Sequence, residues 1–257
     1  AEAAYWMAGK IEKRRKEPAR FQRSRVSVAK VAYARGNVPA ADALLQDVVR
    51  ECEAAGFEAV QAMALHDNAT VARMRGEYTR AVCLAYSSLK LTQSTSERER
   101  VLNDLAAIFV SMGRFEEAQT TLLIQNATAT TSEIRCIARV SLMSLAARNC
   151  ERAQFEHFRN SLIDIVLPPD LQANFLIESA RGERAFGSEV KAKALLASAQ
   201  DLARVHGLNR ALFEAEEMMA IPVPSELTRS GETQVVHPDP AAHVFDGLRQ
   251  MLATITG

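Results

Sequence analysis

Four stretches of the chain share one pattern that decides the fold: RGNVPAADALL (residues 35–45), RGEYTRAVCLA (75–85), MGRFEEAQTTL (112–122) and FGSEVKAKALL (186–196). In each stretch an alanine follows five residues after a glycine. A further stretch, RNCERAQFEHF (148–158), lacks the glycine and is aligned through its alanine. The aligned alanines are 40, 37, 35 and 39 residues apart, and they are Ala41, Ala81, Ala118, Ala153 and Ala192. A recurring unit of this length predicts a repeat protein.

A second column of small residues lies seven positions before each turn. Its members are Ala29, Ala69, Ala106, Ser141 and Ala180. Small residues at fixed sites let two helices approach closely, and glycine permits a left-handed turn between them. We therefore predict that each unit is a helix, a short turn and a second helix. First helices are expected near 20–35, 58–75, 97–112, 132–147 and 170–186, and second helices near 38–54, 77–91, 114–126, 150–166 and 188–206.

Composition favours helices over strands and excludes several function classes. Of the 257 residues 48% are apolar and only 6% aromatic, and glycine and proline are few. Lys+Arg equals Asp+Glu at 31 each, so the bulk charge of a nucleic-acid-binding protein is absent. No stretch of 18 apolar residues occurs, so no membrane partner is expected. The order of basic and apolar residues near the N-terminus is the reverse of a secretory signal, which predicts a cytoplasmic protein.

The third copy resembles the tetratricopeptide repeat family. Its matching residues are, in order, Leu102, Leu105, Ala106, Phe109, Gly113, Phe115, Ala118 and Leu122. The resemblance covers roughly residues 20–206, but no copy carries the family's Trp or ends in its Pro, and most units exceed 34 residues. The longer period is also similar to the helical-repeat sensor regions of bacterial transcription regulators. The resemblance implies an all-α fold: a right-handed superhelical solenoid of about five helix-turn-helix (TPR-like) repeats with C-terminal capping helices.

The sequence divides into four parts. Residues 1–18 are expected to be a basic N-terminal helix or the end of an upstream region, and residues 19–220 the TPR-like helical-repeat domain. Residues 221–240 contain four prolines and are interpreted as a linker. Residues 241–257 form an amphipathic C-terminal helix, whose apolar stripe is Val244, Phe245, Leu248, Met251, Leu252 and Ile255.

The C-terminal helix must cover its apolar stripe by packing on something. The expected hosts are the chain's own groove, its last repeats, or a second copy in a homodimer. An ordinary terminal helix that completes the core would explain the same pattern.

In the tetratricopeptide family the first helices line a concave groove, and the resemblance carries its groove positions onto this sequence. The implied partner-binding residues are Arg23, Lys30, Tyr33, His66, Thr70, Arg73, Arg100, Asn103, Arg135, Asn174, Arg181 and Arg184. None is acidic, and Arg and Asn suit carboxylates and peptide amides. We therefore expect a scaffold or sensor domain, as part of a larger regulator, that binds a protein or an acidic peptide.

Other functions find less support in the sequence. The chain has no GxGxxG, P-loop, HExxH or nucleophile elbow, so no catalytic residue, cofactor or metal is predicted. His237 and His243 flank Asp239 without the spacing of metal ligands. The alternative is a nucleic-acid-binding helical-repeat protein that uses the basic segment 10–25, which holds eight basic and two acidic residues. The zero net charge and the lack of periodic aromatic residues argue against it.

Overall fold

The computed structural model describes residues 5–7, 10–11, 16–220 and 241–257, and over these ranges the chain is all-α with no strand. In chain order the principal helices are α1 (Pro18–Ala34), α2 (Val38–Ala55), α3 (Glu58–Met74), α4 (Tyr78–Leu91), α5 (Thr95–Ser111), α6 (Phe115–Thr128), α7 (Ser132–Arg148), α8 (Arg152–Asn160), α9 (Pro169–Ala185), α10 (Glu189–His206), α11 (Asn209–Ala220) and α12 (Ala242–Thr256). No helix in the described ranges is long and apolar enough to cross a membrane.

The alternation of first and second helices is confirmed. The first helices α1, α3, α5, α7 and α9 begin and end within two residues of the predicted bounds. The same holds for the second helices α2, α4, α6 and α10. In the four copies that carry a turn glycine, the alanine five residues after it is inaccessible to solvent: these are Ala41, Ala81, Ala118 and Ala192. Helix pairs are therefore in close contact at these positions, as the sequence predicts.

The turn between a first and a second helix has one geometry. The residues with left-handed φ at this turn, between 58° and 84°, are Gly36, Gly76, Gly113, Cys150 and Gly187. Each donates its backbone N–H to the carbonyl three residues earlier, for example Cys150 to Ala147 at 3.2 Å. These turn positions are 40, 37, 37 and 37 residues apart, which is more regular than the spacing of the aligned alanines.

The predicted register of the fourth copy is wrong by two residues. Cys150, not Arg148, takes the place of the turn glycine. Ala153, expected at a helix contact, is exposed, and Phe155 occupies that position at 1% exposure. The large ring fits because Gly182 in α9 has no side chain, since a Cβ there would overlap the Phe155 ring. Without a glycine to mark the turn, the alignment followed the wrong alanine.

The second helix α8 is shorter than predicted and ends at Asn160 instead of residue 166. The hydroxyl of Ser161 donates to the carbonyl of Phe158 at 2.7 Å, where the helix stops. Pro168 then disfavours helical backbone at Leu167, and α9 begins at Pro169.

The sequence also predicts capping boxes, Ser96 with Glu99 and Thr130 with Glu133, and the structure displaces both. The actual caps are Ser94, which accepts from the Glu97 N–H, and Thr131, which accepts from the Ile134 N–H. Ser96 and Thr130, the predicted caps, stand within two residues of them. Several hydroxyl residues precede each helix, and the sequence pattern does not say which one takes the extended backbone that a cap needs.

The chain forms two compact units. Unit 1 comprises Ala1–Thr121 and Pro238–Gly257, and unit 2 comprises Leu122–His237. The core of unit 1 includes a cluster formed by α1, α2 and α3 around Leu45 and Val48. Unit 2 has one core cluster around Phe155 and another around Leu196, where α9, α10 and α11 meet.

The C-terminal helix α12 packs within unit 1 of its own chain. Val244, Phe245 and Leu248 are buried, and the Phe245 ring lies 5.5 Å from the Phe109 ring of α5. α12 therefore packs on α4 and α5 of its own chain, a host that was not among those expected. The predicted linker, residues 221–240, lies outside the described residues, as does most of residues 1–18.

Candidate partner-binding surface

The first helices of unit 1 carry most of the predicted partner-binding residues. Lys30 and Tyr33 lie on α1, His66, Thr70 and Arg73 on α3, and Arg100 and Asn103 on α5. The structure brings them together around two carboxylates that the prediction did not include, Asp67 on α3 and Asp104 on α5. We call this set the first-helix surface.

Asp67 ties α1 to α3. Its carboxylate is buried, at 6% exposure, and lies 3.3 Å from the ammonium of Lys30. The Tyr33 hydroxyl donates to its other oxygen at 3.4 Å. Burial raises the pKa of Asp67, although Lys30 acts to lower it. Burial and the neighbouring Asp67 charge also raise the pKa of Tyr33 to about 12.

Asp104 ties α5 to α3 in the same way. Its carboxylate accepts a hydrogen bond from Nε2 of the buried His66 at 2.8 Å. Burial acts to raise the pKa of Asp104, but the hydrogen bond and charge of His66, with help from Arg73 and Asn103, lower it on balance. Within α3, the Thr70 hydroxyl donates to the His66 carbonyl at 3.4 Å. His66 is therefore a paired, buried residue and not a free contact for a ligand.

The cations of this surface lie toward solvent. Arg73 is exposed, the Arg100 side chain is 55% exposed, and the Lys30 side chain is 38% exposed. Arg100 lies 3.3 Å from Glu97. The surface is thus one of mixed charge, with a buried carboxylate beneath exposed cations, although none of the residues predicted for it is acidic.

The missed carboxylates do have a sequence signal. An acidic residue stands nine positions before the turn glycine in three copies: Asp67, Asp104 and Glu178. Asp67 and Asp104 each fall one position after a residue assigned to the groove, His66 and Asn103. In unit 1 the side chains of this column lie between neighbouring first helices, where Asp67 pairs with Lys30 and Asp104 with His66.

Arg181 and Arg184, in unit 2, hold helices together. Arg181 lies 3.1 Å from Glu214 of α11, and Arg184 binds both oxygens of Glu189 in α10 at 2.9 and 3.0 Å. Arg184 also donates to the carbonyl of Met218 at 2.7 Å. Arg184 thus ties α10 and α11 to α9, Arg181 ties α11 to α9, and neither is a free cation.

Asn174 lines a cleft between α9 and α11 in unit 2. The cleft has a volume of about 400 Å³, and Asp170, Arg210 and Glu214 supply its charged groups. These opposite charges give the cleft no single electrostatic preference.

Arg135 does not belong to the predicted columns. It donates to the carbonyl of Ala129 at 3.0 Å, just past the end of α6. The corrected register of the fourth copy places Ile137 and Val140 at the groove positions instead. Arg135 was assigned through the misaligned alanine, so its assignment fails for the same reason.

The histidines and the basic segment that the sequence singles out form no further site in the described residues. Within the described part of the chain, no three His, Cys, Asp or Glu side chains are grouped to hold a metal. His237 and Asp239 lie outside that part, and the His243 ring stands edge-on to Tyr86. Of the basic segment 10–25, Arg25 already binds Glu51 at 2.7 Å.

Comparisons with known proteins support the fold alone. No family model and no curated protein matches this chain. Among solved structures, the chain is similar to the crystal structure of BtubC (BKLC) from P. vanneervenii. The two share 15% identity with a TM-score of 0.60, over 92% of this chain and 97% of that one. At this identity the likeness shows a related arrangement of helices.

Proposed function

We propose that this protein is a non-enzymatic binding protein that takes a protein or peptide on the first-helix surface, as a scaffold or as the sensor part of a larger regulator. The observation that carries the proposal is the linked polar surface of α1, α3 and α5. Successive helix pairs expose such a surface without requiring any catalytic group.

The buried pairs support this function because they fix the positions of the exposed groups. An ionised carboxylate is costly to bury unless it is paired, and Asp67 is paired with Lys30. Asp104 is held by His66. With these anchors in place, Arg73 and Arg100 stand at defined positions on neighbouring helices, which lowers the cost of ordering them around a ligand.

The exposed cations offer contacts to an acidic ligand. Lys30, Arg73 and Arg100 stand beside three carboxylates: Asp67, which is buried beneath them, Asp104, and Glu97, which lies 3.3 Å from Arg100. An Asp or Glu side chain, or a C-terminal carboxylate, would find charged donors there, and the Asn103 amide can both donate to and accept from a peptide backbone. The preference is weaker than a purely basic surface would give, because Asp104 remains 44% exposed.

The test is a binding screen with a charge-reversed variant. An immobilised library of octapeptides with free C-termini is probed with the wild-type chain and with the Arg73→Glu, Arg100→Glu double variant. One exposed ion pair contributes only about 0.2–1 kcal/mol, so both sites are changed together. We expect the tightest acidic peptides to bind at least tenfold more weakly to the double variant. Arg50→Glu, on an exposed second-helix site, is the matched control.

Two results would contradict the proposal. Equal peptide binding by the double variant and the wild type would remove the first-helix surface as the site. Tight, salt-dependent binding of an oligonucleotide, without peptide binding, would favour the nucleic-acid alternative. We hold that alternative second because Arg25, within the basic segment, is already paired with Glu51.

A further inference from the structure

The face that receives α12 includes Tyr86 on α4, Phe109 on α5 and Arg114 in the α5–α6 turn, and Glu116, Glu117 and Thr120 of α6 lie beside Phe245 and Leu248. We call it the α12 site. The Phe245 ring lies 5.5 Å from the Phe109 ring, and the Arg114 guanidinium stands 4.0 Å from the centre of the Phe245 ring. That arrangement combines an aromatic pair with a cation–π contact on one anchor residue.

Gly247 brings α12 close to Tyr86. A Cβ at Gly247 would collide with the Tyr86 hydroxyl. Glycine inside a helix is less favourable than alanine, so this close approach gives Gly247 a physical role. Val244 and Leu248 are also buried, so the buried side of α12 includes the pattern Phe-x-Gly-Leu, residues 245–248.

The α12 site is particular to this place in the repeat array. Phe109 lies four positions before its turn glycine. At the same position the other copies carry small or charged residues: Ala32, Ala72, Ala146 and Glu183. Among the copies, an aromatic residue therefore stands at this position only in the one that α12 packs against.

Twenty residues, 221–240, separate α12 from the preceding helix α11, which belongs to unit 2, whereas α12 packs in unit 1. Its apolar stripe is also only partly covered: Ile255 is 38% exposed, and Met251 and Leu252 are half-buried. α12 is thus joined to its host by a long connection and is buried mainly at one end of its apolar stripe.

We propose that the α12 site is a docking site for amphipathic helices of the pattern Phe-x-Gly-Leu, that α12 is its tethered occupant, and that a partner helix of the same pattern takes its place. Three features identify the occupant. It has an aromatic residue that fits between Phe109 and Arg114, a glycine beneath Tyr86, and a leucine directly after that glycine. This proposal is independent of the first-helix surface.

The test uses the full chain and a fluorescent peptide of residues 241–257. In the wild type the tethered helix competes at an effective concentration of up to about 1 mM, so the free peptide binds weakly. In a Gly247→Leu chain the tethered helix cannot seat, and we expect the wild-type peptide to bind at least tenfold more tightly. A peptide that itself carries Gly247→Leu should bind neither chain. Gln250→Leu, which adds the same side chain on the exposed face of α12, is the matched control.

Equal peptide binding to the wild-type and Gly247→Leu chains would overturn the proposal. A wild-type dimer that Gly247→Leu abolishes would also overturn it, because the occupant in trans would then be a second copy. Hydrogen exchange on the wild type gives an answer that does not depend on how any variant folds. We expect the amides of α12 to exchange at least tenfold faster than those of α4 and α5. Equal protection of all three helices would make α12 part of the core and would contradict the proposal.

Discussion

Placing a small side chain at Phe155 and a large one at Gly182 tests the packing of the fourth helix pair. Phe155 is buried, and its ring fills the space where a side chain at Gly182 would lie. In the turn-based register, the other copies carry alanine at the first position and a larger residue at the second: Ala41 with Val71, Ala81 with Ile108, and Ala118 with Leu145. The fourth pair reverses these sizes, so exchanging them should restore the common arrangement.

The single changes should each be costly, and for different reasons. Phe155→Ala removes a buried ring, and such truncations cost about 3–5 kcal/mol. Gly182→Leu forces a side chain into the Phe155 ring, and such overpacking costs about 1–3 kcal/mol. Replacing a glycine inside a helix stabilises the helix by about 1 kcal/mol, which offsets part of this cost. In the double variant the leucine occupies the space that the ring vacated. We expect it to recover about 1–3 kcal/mol relative to the sum of the single changes.

The assay is urea unfolding followed by circular dichroism, for the wild type, both single variants and the double variant. A favourable coupling free energy between the two sites is the expected result. If the double variant loses as much free energy of unfolding as the two single variants together, the two residues do not share one space. The corrected register of the fourth copy would then be wrong.

Three further changes test the helix contacts and the pH dependence. Ala118→Leu should overpack a fully buried contact and cost about 1–3 kcal/mol, and a melt identical to the wild type would refute it. Asp42→Ala removes the buried carboxylate that Arg80 binds at 2.6 Å; it should cost about 1.5–3 kcal/mol in urea unfolding, whereas Asp47→Ala, at an exposed pair, should change little. The pKa of Asp104 is lowered in the folded chain. Its ionised form therefore stabilises the fold at pH values above the pKa that Asp has in the unfolded chain, about 3.9. This stabilisation is lost as the pH falls through the pKa of the folded chain. Asp104→Asn should therefore destabilise the chain at pH 6 more than at pH 3, and an equal loss at both would contradict the pairing.

The fold could be predicted wherever glycine marks a turn. Gly36, Gly76, Gly113 and Gly187 adopt left-handed φ, which glycine accepts without strain, and the helix bounds around them follow the sequence closely. Cys150 adopts the same conformation without any sequence signal. The error therefore arose at the one turn where a residue other than glycine takes an uncommon backbone conformation, and it carried over to Ala153 and Arg135.

The candidate site could be predicted only by helix and face. The resemblance placed Lys30, Tyr33 and His66 on first helices, and the structure brings them together. Their partners Asp67 and Asp104 were missed because a groove position describes where a side chain starts and not how far it reaches. Lysine and tyrosine extend across to the neighbouring helix, so the charge of the surface depends on contacts that a single helix does not reveal.

The most direct test of the proposed function is a photo-cross-link from the first-helix surface to a bound peptide. Ala107 is exposed on α5, at the same register position as Lys30 and Thr70, and Ala43 is exposed on the second helix α2. Benzoylphenylalanine is placed at one site or the other, and the tightest acidic peptide from the library is added. We predict a cross-link from position 107 and none from position 43. A cross-link from position 43 alone would contradict the assignment of peptide binding to the first-helix surface.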